Sequence, residues 1–151
     1  MDDYGKLWDN YSIEFNSKLV NSNGDWNKLD EDEQEIAALW KLFVDINNGG
    51  FIQFFCNWGF QCFCYAMRGL KRIDDTSLYE LLADTYYDVL EKFKDDTRLT
   101  EYWDIPEYLT DEERLNTADT QFYKTECEHF TKMAYEYYHQ TLKKMVTPID
   151  T

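Results

Sequence analysis

The sequence has only two histidines among its 151 residues, His129 and His139. Ten positions apart on one helix, they would lie about 80° from a common face, so they do not make a ligand pair. A glycine-rich phosphate loop is also missing, since Gly49-Gly50 lacks the further Gly and the Lys that cradle phosphate. Basic residues are scarce, 15 against 30 acidic ones, which gives a net charge of −15. A surface that negative repels nucleic acid and anionic membranes and favours basic partners. No basic cluster exceeds Arg68-Lys71-Arg72, which disfavours direct nucleic-acid binding.

Long apolar runs are lacking too. Met1-Asp2-Asp3 opens without a basic or apolar signal region. The most apolar window, Phe51 to Met67, is interrupted by Gln53, Asn57 and Gln61 and is short for a membrane span. The expectation is a cytoplasmic protein without a membrane segment. The four cysteines (Cys56, Cys62, Cys64, Cys127) do not read as a disulfide framework, because three of them crowd one aromatic segment. A zinc reading would recruit Cys62, Cys64, Cys127 and His129, but C-x-C and C-x-H spacings are tighter than structural zinc sites use. Buried reduced thiols are the expectation, with no metal and no cofactor.

What is abundant is aromatic. Rings make up 18% of the chain, too many to stay solvated, so a disordered chain is excluded. Residues 4–20 carry Tyr4, Leu7, Trp8, Tyr11, Phe15 and Leu19 at three-four spacing, one face of a helix. Asn21-Ser22-Asn23-Gly24 then breaks it. Asp30 and Glu33 form an acidic capping box for a second helix, whose core face is Ile36, Leu39, Trp40, Phe43 and Val44.

Asn48, Gly49 and Gly50 should end that helix in left-handed backbone and turn the chain at Phe51. Asn57 and Gly59 should divide the aromatic stretch Phe51–Ile73 into two short buried helices. Ser77 with Glu80 reads as a capping box for a helix to about Lys94 with Leu78, Leu81, Leu82, Val89 and Phe93 inward. Thr97–Leu109, with Pro106, reads as a loop. Thr110 and Glu113 should cap a short helix through Leu115. The longest helix is expected over Asp119 to about Met145, seamed by Tyr123, Cys127, Phe130, Ala134, Tyr137 and Thr141 and ended by Pro148. The class is all-α, a single-domain irregular bundle of about six to seven helices spanning residues 1–151, with no strand required.

The run Asn47-Asn48-Gly49-Gly50-Phe51-x-Gln53-Phe54-Phe55-x-Asn57-x-x-x-Gln61, preceded by Trp26-x-x-Leu29, resembles a bacterial all-helical family whose best-known relatives are acidic DNA-mimic proteins. That family is marked by an Asn-Gly-Gly-Phe turn, an aromatic pair and an Asn-x-x-Gly-like turn. Asn57-Trp58-Gly59 is one residue tighter than that form. The likeness extends from Trp26 to Leu90 and again from Asp119 to Tyr138, which places a family-like core at about 26–145 with helix 4–20 packed on it. The resemblance implies a non-catalytic, dimeric, all-helical domain. In the studied relative the acidic surface imitates duplex DNA and occupies the DNA-binding face of a transcription repressor.

The charge pattern points the same way by a separate route. Residues 74–119 hold 15 acidic and four basic side chains, −11 of the total −15. Glu80, Asp84, Asp88, Glu91 and Asp95 fall in one helical stripe roughly 22 Å long, opposite the leucine face. Neighbouring carboxylates about 6 Å apart oppose helix formation slightly, and a basic partner would offset that cost. Asp104, Glu107, Asp111 and Glu112 would extend the stripe. The plain alternative is a solvated face in a generally acidic protein.

The leading expectation is therefore a non-enzymatic protein-binding domain whose acids stand in for phosphates on a basic, DNA-binding protein. The alternative is an immunity or antitoxin-type inhibitor that plugs a toxin through shape and the rings of Tyr102, Trp103 and Tyr108. An enzyme with an unfamiliar site ranks third, because no pair of carboxylates among 30 can be singled out without a pocket.

Overall fold

The computed structural model describes residues 3–91 and 112–146. These are helical throughout apart from short joints, with no strand among them, as the sequence pattern requires. Five α-helices appear among the described residues, fewer than expected: α1 (Tyr4–Asn21), α2 (Glu31–Arg72), α3 (Thr76–Thr85), α4 (Glu112–Gln121) and α5 (Cys127–Val146). A short 3₁₀ turn at Trp26–Lys28 leads into α2. The count falls because α2 runs on through two kinks where separate helices were expected.

α1, α2 and α3 begin where side chains can satisfy the free N–H groups of the first turn. Asp3 caps α1 through Lys6 N at 3.0 Å. Asp30 and Glu33 close both halves of their capping box at 2.9 Å. At α3 the expected Ser77/Glu80 box is not used. Asp74 takes a positive φ of 63° that closes the preceding helix, so Asp75 becomes the cap and accepts from Leu78 N at 3.2 Å. The helix therefore starts at Thr76.

The two kinks in α2 lie at Gly50 (φ 85°, ψ −179°) and Gly59 (φ 74°, ψ −163°). Both combine positive φ with extended ψ, a region essentially closed to residues with a Cβ. This is not the left-handed cap expected at the glycine pair, and Gly49 stays helical. The functional outcome is the one anticipated: the chain folds back in two steps. The segment after Gly59 returns beside the start of α2, where a Cβ on Gly69 would come within 2.9 Å of Leu39 Cδ1.

One continuous core results. Trp8 of α1 sets its indole against Phe130 at 5.9 Å and Tyr138 at 6.2 Å, both on α5. Phe51 meets Phe122 edge-on at 6.2 Å, and Phe63 stacks on Tyr86 at 4.3 Å.

Two single π turns interrupt the regular helices, Tyr86–Leu90 after α3 and Phe122–Glu126 between α4 and α5. The second replaces the expected break near residues 116–118. The inner face of this region also differs from the expected seam. Phe122, Phe130, Ala134, Tyr138 and Leu142 are buried, whereas Tyr123 and Tyr137 are about half exposed at 49% and 48%. Phe130 and Ala134 lie on the seam as expected. A π turn adds a residue to the helical repeat, so a three-four count carried back through it lands one position off at Tyr123. Beyond Ala134 the buried row keeps steps of four, to Tyr138 and Leu142, where a step of three was expected.

Candidate functional site

The expected acidic stripe occupies the outer face of α3. Leu78, Leu81 and Leu82 are buried on the inner side, and Val89 continues them in the π turn. Glu80, Asp84, Asp88 and Glu91 are all exposed. In a regular helix each four-residue step overshoots a full turn by about 40°, so such a row drifts around the axis. Within the π turn four residues fall short of a turn, which swings Asp88 back toward the line of Glu80. No basic side chain reaches Glu80, Asp84 or Glu91 among the described residues. Asp88 is different, because Arg114 Nη2 of α4 stands 3.7 Å from its Oδ2. Glu112 is exposed at the start of α4, where a carboxylate suits the positive end of the helix dipole. Asp95, Asp104, Glu107 and Asp111 lie outside the described residues, as do Phe93, Tyr102, Trp103, Tyr108 and Thr110.

Elsewhere Lys18, Arg68 and Arg72 are already engaged. In the Arg68-Lys71-Arg72 cluster, the densest basic run in the sequence, both arginines are held by carboxylates of α2. Arg68 Nε sits 2.6 Å from Glu35, and Arg72 bonds Asp32 at 2.9 Å and Glu31 at 3.1 Å. Lys18 is paired with Glu33. The ion pairing concentrates at α1 and α2, and the outer carboxylates of α3 keep most of their negative charge uncompensated among the described residues.

The residues of the glycine corner are structural. Phe51 N, the first donor after the kink, is bonded by Asp119 Oδ1 of α4 at 2.9 Å, a cap supplied from another helix. Asn48 donates to Gln53 Oε1 at 3.0 Å. Asp45 gathers Gln53 at 3.0 Å, Asn57 at 3.3 Å and the Trp58 indole N–H at 2.6 Å, which ties the chain before the corner to the chain after it.

Lys41 is buried beside this cluster. Its Nζ lies 3.3 Å from the Trp58 ring centroid and donates to Asn16 Oδ1. Burial pulls the amine down from its ordinary 10.5 to about 8, against the pull of nearby Cys62 and Asp45. Between those values the unfolded chain holds a proton that the folded chain releases, so stability rises with pH there. Below pH 8 both states carry the charge and the burial cost is felt in full. Denaturant unfolding at about pH 7.5 and pH 10 should show wild type gaining roughly 2 kcal/mol on a Lys41→Met variant. A flat difference would mean the amine is not held in a desolvated site.

The cysteines separate. Cys56 and Cys62 are buried, Cys64 is exposed and Cys127 is half-buried, so reduced thiols sit partly outside the core. Burial pushes the Cys56 thiol up to about 12 and shifts Cys62 and Cys127 in the same direction. Among the described residues no group of His, Cys, Asp and Glu is arranged to hold a metal ion, so the zinc set is not assembled. No helix among them is long and apolar enough to cross a membrane.

A family model described as DMP19-like protein matches residues 27–141 of the chain. No curated protein and no solved structure matches it. The matched span begins after α1, although Trp8, Phe15 and Leu19 of that helix belong to the common core.

Proposed function

The chain belongs to the DMP19-like family, and from that premise we propose that it is a non-enzymatic binding domain whose acidic α3 face occupies the nucleic-acid-binding surface of a basic protein. One observation carries this reading. Glu80, Asp84 and Glu91 stand exposed in a row on a helix whose opposite side is core. Uncompensated like charges at one-turn spacing cost a few tenths of a kcal/mol per pair, and a row of phosphate-binding cations on a partner would turn that cost into attraction. Asp88, with Arg114 leaning on it, is the weaker member of the row. Homodimerisation, which the family resemblance implies, belongs to the same proposal.

The test is capture from the native cytoplasm at two ionic strengths, followed by elution with duplex DNA. Binding should weaken about tenfold or more between roughly 50 and 200 mM salt, and the duplex should displace the captured protein. An Asp84→Lys/Asp88→Lys variant that keeps its circular dichroism should capture nothing. Salt-insensitive capture that DNA cannot displace would instead support an inhibitor that plugs its target through shape and aromatic contacts.

A further inference from the structure

Five aromatic side chains among the described residues stand about half exposed: Trp58, Phe60, Tyr87, Tyr123 and Tyr137. Three of them serve internal contacts. The Trp58 indole bonds Asp45 and covers Lys41, Tyr123 donates to the Ile46 carbonyl at 2.7 Å, and Tyr137 borders the Arg72 guanidinium. Phe60 and Tyr87 are the most open rings, at 51% and 56%, and their side chains make no hydrogen bond.

Both lean on one buried pair, Phe63 stacked on Tyr86 at 4.3 Å. Phe60 lies 5.7 Å from the first of these rings and 5.6 Å from the second. Tyr87 lies 6.4 Å and 5.1 Å from the same two. Single exposed rings need no explanation, but two from separate elements seated on one stack make a continuous apolar step. The pair beneath holds them in place, so little side-chain freedom is left to lose on binding.

Charge decides what covers this step. Asp84 precedes Tyr87 by three residues, Asp88 follows it and Glu91 comes four later, so the ring rises among carboxylates. Arg114 reaches Asp88 alone. A second copy seated here symmetrically would set these carboxylates against their equals, and nucleic acid or an anionic membrane would be repelled in the same way. A row of phosphate surrogates does not account for the rings either, because a phosphate backbone has no apolar centre.

We infer that the Phe60–Tyr87 step receives a bulky apolar side chain of the basic partner, on a segment whose flanking arginines or lysines meet Asp84 and Glu91. Rings at the centre and charge at the rim are the usual layout of a specific protein interface. The inference rests on the binding reading above and deepens it. The α3 acids draw the partner in, and the step distinguishes one basic protein from another.

The probes are three helical peptides of equal length titrated into the full chain. The first is an alanine–arginine peptide with one central leucine, the second has alanine in place of the leucine, and the third has glutamine in place of the arginines. By calorimetry the first should bind about fivefold or more tighter than either of the others. Its amide shifts in ¹H–¹⁵N spectra should centre on residues 60–63 and 84–91. Phe60→Ser and Tyr87→Ser, both at exposed positions, should keep the wild-type circular dichroism and bind the leucine and alanine peptides alike. Equal affinity for those two peptides in wild type, or a leucine preference that survives in both serine variants, would overturn the inference. So would tight binding of the glutamine peptide, or self-association that Phe60→Ser abolishes. Loss of the leucine preference alone leaves salt-sensitive capture standing. Capture that Asp84→Lys/Asp88→Lys fails to reduce removes that reading and leaves the peptide titration to be judged by itself.

Discussion

Replacing Glu35 with glutamine should cost about 3 kcal/mol or more of folding stability, near the range for breaking a buried ion pair from one side. Glu35 is fully buried, and three donors converge on it: Arg68 Nε at 2.6 Å, Arg72 Nε at 3.2 Å and the Tyr138 hydroxyl at 2.7 Å. The amide would leave two guanidinium groups facing a neutral group that is itself partly a donor. Both arginines are about one-third exposed and keep other acceptors, the Glu31 carbonyl for Arg68 and Asp32 for Arg72. For that reason the loss belongs at the lower end of the range. Urea unfolding should show a lower midpoint at unchanged slope, and Tm should fall by roughly 10 °C. Tyr138→Phe, which removes one donor and leaves both charges paired, should cost only about 1–2 kcal/mol. If the two variants were equally stable, the carboxylate would not be the centre of this network.

Gly50→Ala should be comparably damaging, about 3 kcal/mol, and more so than Gly59→Ala. Both glycines use backbone angles that a Cβ opposes. At Gly50 the added atom would also come within 2.3 Å of Asp119 Oδ2, the carboxylate that caps Phe51 N. Alanine there must displace the cap as well as strain the chain. At Gly59 nothing lies within 4 Å, so only the backbone cost of roughly 1–3 kcal/mol applies. Chemical denaturation of the two variants side by side checks the ranking. Equal losses would mean that Asp119 moves aside freely.

The features legible from sequence were those set by local rules. The α1 face, the Asp30/Glu33 box and the breaks at Gly50 and Gly59 each follow from a few adjacent residues. The errors share a cause: something distant, or a shift in helical repeat, overrode the local pattern. Ser77-x-x-Glu80 matches a capping box as well as any, but Asp75 reached the cap position first because Asp74 could adopt positive φ. The seam was right at Phe130 and Ala134 and one position off at Tyr123, because no residue pattern announces the π turn that contains it. Asp119 as the cap of Phe51, and Glu35 as the sink for Arg68 and Arg72, depend on contacts across 68 and 33 positions. Of the acidic face, the sequence conveyed which residues share a helix and their inner–outer order. That Arg114 leans on Asp88 required the packing of α3 against α4.

The first helix meets the last. Tyr4 donates to Glu136 at 3.5 Å across 132 positions, and the Trp8 indole rests on Phe130 and Tyr138. During translation, then, the opening segment emerges roughly 7–26 s ahead of its final neighbour at ordinary elongation speeds. Until the ribosome releases that neighbour, the Trp8–Phe15–Leu19 ridge has only α2 to shelter it. A nascent chain stalled midway would display an oily flank suited to chaperone capture, and maturation would wait on the last stretch to leave the exit tunnel.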